Sequence, residues 1–169
     1  MSGPSDRREP SRARSGPTQV VAMDAPMVAA LAYAAREWLV FPCHTATARG
    51  CTCGQTCSSP GKHPRTRNGA RNATRDPATV RAWWTRWPDA NVAIGTGRQS
   101  GLVVIDLDPR HGAMPAWRAL LAGQDPVAVG PIVETGSHGW HLYFAHPGGD
   151  IPNSVGRVGS GIVNAGRIQ

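Results

Sequence analysis

Two carboxylates separated by one residue stand at the end of an apolar run, Leu102-Val-Val-Ile-Asp106-Leu-Asp108. In a strand, alternate side chains share a face, so Asp106 and Asp108 lie about 6 to 7 Å apart along the chain with Leu107 turned inward. Two anionic oxygens in that position suit one or two hard divalent cations. Such cations activate an attacking hydroxyl and neutralise a triphosphate in phosphoryl and nucleotidyl transfer. The plainer alternative is a strand that leaves the core through acidic turn residues ahead of Pro109. An Asp-x-Asp alone does not choose between the two.

A second constellation is Cys51-x-Cys53-x3-Cys57 followed by His63, four soft or borderline ligands within thirteen residues. Three thiols and an imidazole match the tetrahedral preference of zinc, and four protein ligands close the site, so the role expected is structural. Cys43 and His44 could replace one ligand. Next to this cluster, Lys62 and Arg65 in Pro60-Gly-Lys-His-Pro-Arg65 offer cations to an anion; a solvated basic loop is the alternative. Further on, Thr135-Gly-Ser-His-Gly139 leads into Trp140-His-Leu-Tyr-Phe144. There His141 and Tyr143 alternate against Trp140, Leu142 and Phe144, so both point away from the face that packs. His141 beside a Gly-rich turn that also holds Ser137 can touch a phosphate, or it can be an ordinary satisfied histidine.

The elements that must position these groups alternate between helix and strand. Asp24 with Pro26 opens a helix over about 25–38, and Leu39 to Pro42 reads as a short buried strand ended by the proline. Residues 43–72 have little hydrophobic periodicity and need a metal rather than a core to hold them. Asp76-Pro77 caps a second helix carrying Val80, Trp83, Trp84 and Trp87; at that spacing the tryptophans read as core rather than as a stacking surface for bases. Asn91 to Gly95 and Leu102 to Asp106 read as two neighbouring strands. A third helix is expected over 113–122 and strands over 131–134 and 140–145, which makes an α+β or α/β domain.

Composition sets the outer bounds. At 169 residues the chain is one ordinary domain, with a basic arm over residues 1–19 that holds too little apolar surface to order itself. A formal charge of +7 and a pI near 10.2 favour a polyanionic partner, nucleic acid first. Seventeen of the 18 basic residues are Arg, which a GC-rich coding sequence also produces, so part of the charge can be drift. No apolar stretch is long enough to span a bilayer and no secretory signal is visible, so a cytoplasmic protein with reduced thiols is expected.

Taken in order, six segments resemble one family: Ala32-Tyr-Ala-Ala35 with Phe41-Pro42; Pro60 to Arg65; Asn72-Ala-Thr74 with Trp83-Trp84; Trp87 to Gly97; Ser100 to Asp108; and Gly139 to Phe144. The family is the bifunctional DNA primase/polymerase domain of the archaeo-eukaryotic primase superfamily, and the resemblance covers about residues 27 to 162. It implies a primase-like core, an RRM-like sheet packed with a second α/β unit, that starts or extends DNA from nucleoside triphosphates on a single-stranded template. It also implies roles. Asp106 and Asp108 bind Mg or Mn, and His141 contacts the triphosphate. Lys62, Arg65, Ser137 and Tyr143 are the candidates expected to serve nucleotide or DNA beside them. The cysteine-rich insertion, about residues 43–72, is similar to a zinc stem found in some members, and a helicase domain or protein is the usual companion in mobile elements.

One departure stands out. After the equivalent of Gly159-Ser-Gly-Ile162 the family usually places an acidic residue, the third metal ligand, and then a further strand; here the position is Val163 and the sequence closes at Gln169. The expectation is a domain of residues 20–169 cut short before its last strands. Its rivals are a non-catalytic, zinc-stapled nucleic-acid-binding module, an inactive remnant of a replication protein, or a decayed reading frame that never folds stably.

Overall fold

The computed structural model describes residues 25–124, 130–160 and 162–165; the basic arm expected over residues 1–19 lies outside them. The first unit consists of helix α1 (Ala25–Ala34), strand β1 (Leu39–Cys43), the hairpin β2 (Ala46–Thr47) and β3 (Gly50–Cys51), helix α2 (Pro77–Arg86) and strand β4 (Asn91–Gly95). The second consists of β5 (Leu102–Leu107), helix α3 (Ala113–Leu121), β6 (Ile132–Glu134), β7 (Trp140–Ala145), β8 (Ser154–Val155) and β9 (Ile162–Ala165).

In the first unit β1 and β4 form an antiparallel pair that α1 and α2 cover. Helix α2 starts where Asp76 accepts backbone N–H bonds from Ala78 and Thr79 at 3.4 and 2.8 Å, with Pro77 at its first position. Its inward side brings Val80 and Trp84, both fully buried, against Ala30, Ala34, Val40 and Ala90. The Trp84 indole N–H finds the Ala90 carbonyl at 3.0 Å, so the ring is buried without an orphaned donor. Trp84 is therefore core, and Trp83 and Trp87 pack against the same cluster.

Three sequence expectations change here. Helix α1 ends at Ala34 rather than near 38, because Glu37 takes φ +65° and the N–H groups of Arg36 and Trp38 turn back to the Tyr33 carbonyl. Pro42 lies inside β1 instead of ending it; the N–H of Arg65 bonds its carbonyl at 2.9 Å, and a proline lacking a donor is tolerated in so short an outer pair. Strands β4 and β5 are not partners. Only Gly97 and Leu102 bridge, at 2.7 and 3.2 Å, before β4 turns to β1 and β5 to a separate sheet. The split follows the helices: Val92 and Ile94 pack with α1 and α2, whereas Ile105 and Leu107 pack with the α3 cluster.

That second sheet is five-stranded and antiparallel, in the order β6-β7-β5-β9-β8. One face carries Leu107, Leu142 and Ile162 into a core with Ala113, Met114 and Trp117 of α3. The other face turns toward the first unit at the end where β5 begins. There Trp38 stacks on Tyr143 with ring centroids 5.8 Å apart, and the Leu39 N–H bonds the buried Ser100 hydroxyl at 3.1 Å. The far end of that face, where β5 finishes, stays open.

Candidate functional site

Register builds a transverse row on the open face. Val133 of β6 pairs with His141 of β7, His141 with Asp106 of β5, Asp106 with Val163 of β9, and Val163 with Val155 of β8. Directly opposed residues of antiparallel strands share a face, so five side chains line up across the sheet with one carboxylate at the centre. His141 Nε2 lies 3.7 Å from Asp106 Oδ1, with the side chains 39% and 41% exposed. That is a near approach rather than a hydrogen bond, and both groups remain open to a ligand.

Asp108 has already left the strand. It takes φ −98° and ψ 107° and caps the single 3-10 turn Pro109–His111. The Arg110 backbone N–H and Nε both reach Asp108 Oδ1 at 3.0 Å, and a terminal guanidinium nitrogen reaches Oδ2 at 2.7 Å. This fork, with the Arg110 backbone bond, outweighs partial desolvation and holds the Asp108 carboxyl down to about 2. The group is a carboxylate at any ordinary pH. A cation approaching Asp108 must share it with Arg110.

Clefts open on both sides of the pair. One, of about 510 Å³, sets Asp106 and Asp108 among Lys62, Arg110, His141 and the Thr135–Gly136–Ser137 turn, with Val133 and Glu134 on its rim. The other, of about 670 Å³, sets them beside His111, Val155, Ser160 and Val163. The turn is held by Thr135, whose N–H bonds the Gly139 carbonyl at 2.8 Å and whose hydroxyl accepts from the Gly139 N–H at 3.0 Å. Gly139 has to be glycine, since a Cβ there would stand 2.5 Å from the Leu107 carbonyl oxygen. That close approach brings the turn against the end of β5.

Of the residues singled out from the sequence, Asp106, Asp108, His141, Lys62 and Ser137 come together in one cleft. Arg65 does not. Its side chain is only 11% exposed, pairs with Asp89 at 3.2 Å and lies over Trp87, fastening the stem to the junction of α2 and β4. Lys62 and Arg65, read as facing one anion, point to different places. Tyr143 sits two residues beyond His141 but stacks on Trp38, and desolvation raises its phenol above the ordinary range. It belongs to the contact between units. Sequence reasoning missed Arg110, although a proline followed by an arginine directly after Asp108 is a recognisable capped turn.

The stem gathers its ligands closely. Donor atoms of Cys51, Cys53, Cys57 and His63 all lie within 4.8 Å of one another, with His63 Nε2 at 3.1 Å from Cys51 Sγ and 3.4 Å from Cys57 Sγ. Zinc bonds of about 2.3 Å to sulfur and 2.0 to 2.1 Å to nitrogen fit within such spacings, so this donor set can hold a metal such as zinc. Partial desolvation pushes the Cys51 thiol up, but hydrogen bonds from the backbone at Gly61 and Cys53 and from the His63 and Cys53 side chains outweigh it and bring it to about 6. Desolvation and the neighbouring cysteines push Cys57 up instead. Crowded thiols with divided proton affinity are what a bound dication resolves.

The alternatives fall away. Cys43 is buried with its thiol on the Lys62 carbonyl at 3.5 Å, and burial pushes it up to about 11. The His44 ring lies tilted against that of His63, with centroids 4.8 Å apart, and its Nδ1 bonds Thr52 at 3.1 Å, outside the donor set.

Residues 30–165 match the family described as bifunctional DNA primase/polymerase, N-terminal. The chain belongs to that family. No curated protein and no solved structure matches it. The family is one of nucleotidyltransferase-type enzymes acting in DNA synthesis, so DNA and nucleotides are the general substrates. The matched span takes in the second half of α1, the stem and all of β9, hence the row, both clefts and the cysteine cluster. Among the described residues no helix is long and apolar enough to cross a membrane.

Proposed function

We propose that this domain performs template-directed nucleotidyl transfer onto DNA at the open end of β5, as a primase/polymerase. The observation that carries the reading is the cleft in which Asp106 and Asp108 meet Lys62, Arg110 and His141. Anionic oxygens sit at its floor and three cationic or protonatable groups surround them, a pattern suited to a metal-chelated triphosphate. The sheet order β6-β7-β5-β9-β8, with α3 on one face, supports an RRM-like catalytic core packed against the unit of α1, α2, β1 and β4.

In this reading a primer 3′-hydroxyl attacks the α-phosphorus, the new P–O bond forms as the bond to the β-phosphate breaks, and pyrophosphate leaves. Bound Mg or Mn would supply Lewis-acid activation of the hydroxyl and charge neutralisation at the α-phosphate. Asp106 and Asp108 provide its carboxylate oxygens. Lys62 and His141 hold the triphosphate, the Ser137 turn offers hydroxyl and backbone donors, and Arg110, released from Asp108, neutralises the departing pyrophosphate. The cysteine cluster holds structural zinc and fixes the loop that carries Lys62. The protein works in the cytoplasm with a helicase partner.

A second reading is favoured by Val163, which faces Asp106 where the family resemblance expects a third acid. It makes the chain a nucleic-acid-binding module with weak or no catalysis. Primer extension on a single-stranded template with Mg or Mn separates the two. Extension that disappears in Asp106→Ala/Asp108→Ala supports the polymerase; DNA binding without extension in either protein selects the second reading.

A further inference from the structure

A second basic cleft lies away from the carboxylates. It holds about 360 Å³ between residues 70–73 on one wall and 96–99 on the other, with Arg71 and Arg98 at its mouth. Both walls are clamped to strands. The first is strapped to β1 by paired bonds between Val40 and Thr74 at 2.8 and 3.0 Å, the second to β5 by the paired bonds between Gly97 and Leu102. Leu102 opens β5 and Asp106 lies four residues on, so the two clefts are separated by about 13 Å of strand.

The chemistry of the lining is one-sided. No acidic residue contributes to it, and neither Arg71 nor Arg98 has an ion pair or side-chain hydrogen bond among the described residues. The nearby Arg75 is already occupied by Glu37 at 2.7 Å. Two guanidinium groups unpaired among the described residues, with Thr96 and Gln99, therefore line a cleft whose other residues, Ala70, Ala73 and Gly97, are small enough to let a backbone come close. Two cationic side chains with no anionic one, over small apolar residues, describe a site for phosphate oxygens on a sugar backbone rather than for a base edge.

We infer that this cleft holds the phosphodiester backbone of single-stranded DNA, apart from the nucleotide cleft. The inference rests on the reading of the domain as one that works on DNA, but not on its catalysing synthesis. The test is fluorescence anisotropy of a labelled oligothymidylate titrated across a salt series, with the chain, Arg71→Ala/Arg98→Ala, and Arg118→Ala on the distant α3 as a control. Two phosphate contacts on a single strand contribute about 0.7 each to the salt slope. The double variant should show a slope shallower by about 1.4, and binding about 25-fold weaker at 0.1 M salt relative to a 1 M reference. Nucleoside triphosphate binding without DNA should stay unchanged, as should the Arg118 variant's DNA binding.

An unchanged slope in a double variant with native circular dichroism overturns the inference, and so does a loss of triphosphate binding with DNA binding intact. Arginine-dependent DNA binding without primer extension leaves the inference standing while the catalytic reading falls. Extension together with indifferent arginines does the reverse.

Discussion

Val163→Asp is the most informative single change, because the register specifies what it should do. Val163 opposes Asp106, and side chains so paired have Cβ atoms about 4.5 to 5.5 Å apart on the same face. Two carboxylates about 5 Å apart repel by about 0.8 kcal/mol in bulk water and about 3 kcal/mol at an effective dielectric near 20. Asp106 is 41% exposed, which places the cost in the lower half of that range, about 1 to 2 kcal/mol. Val163→Asn carries the same loss of apolar contact without the charge, so the Asp-to-Asn difference isolates the repulsion. For a domain of this size it corresponds to about 2 to 8 °C in melting temperature. A divalent cation reverses the sign, since Mn at about a hundredfold its dissociation constant adds about 2.7 kcal/mol to the state that binds it. Scanning fluorimetry should find the Asp variant below the Asn variant in chelator and above it in Mn, and primer extension should rise about tenfold or more, equivalent to 1.4 kcal/mol at the transition state. If the two variants melt together in chelator, or Mn leaves their gap unchanged, the row across the sheet is not a metal platform.

Two further outcomes follow from the same geometry. Removal of zinc with a strong chelator, or Cys51→Ser with Cys57→Ser, should release one metal per chain and speed amide exchange across residues 43–72, while the five-stranded sheet keeps its protection; uniform exchange in both states would deny the cluster its structural role. Asp76 caps α2, and the Thr79 hydroxyl and backbone bonds hold its carboxyl below the usual range. Its folded-state pKa is depressed, so its stabilising contribution is present above the ordinary carboxylate range and is lost as pH falls below it. Melting temperatures of the chain and of Asp76→Ala should therefore differ at pH 7 and converge toward pH 2; a constant gap would mean the cap acts through shape alone.

Legibility in the sequence followed the range of the interaction. Helix α2 could be read because its cap, Asp76 with Pro77, is a local device, and the metal cluster because its four ligands fall within one loop that has no other reason to hold together. The apolar, β-branched run before Asp106 announced β5, and strand alternation the burial of Leu107, for the same reason. Pairing is not local. Nothing in Asn91–Gly95 or Leu102–Leu107 says that the two strands join different sheets, since that choice is made by α1 and α2 on one side and α3 on the other. Arg65 shows the limit sharply: beside Lys62 it looks like half of an anion clamp, and only the distant Asp89 and Trp87 turn it into a structural staple.

The row itself illustrates why a motif understates a site. Asp106, His141 and Val163 are separated by tens of residues, yet two antiparallel registers place them on one line, and a slip of a single residue in either pairing would turn His141 or Val163 to the opposite face. The registers are secured by residues with no chemistry to perform. Leu107, Leu142 and Ile162 lock the buried face under α3, and Gly139 brings the Ser137 turn against the end of β5. Changes to that apolar layer should therefore disturb the carboxylate cleft more than changes to exposed Val155, although Val155 lies in the row itself.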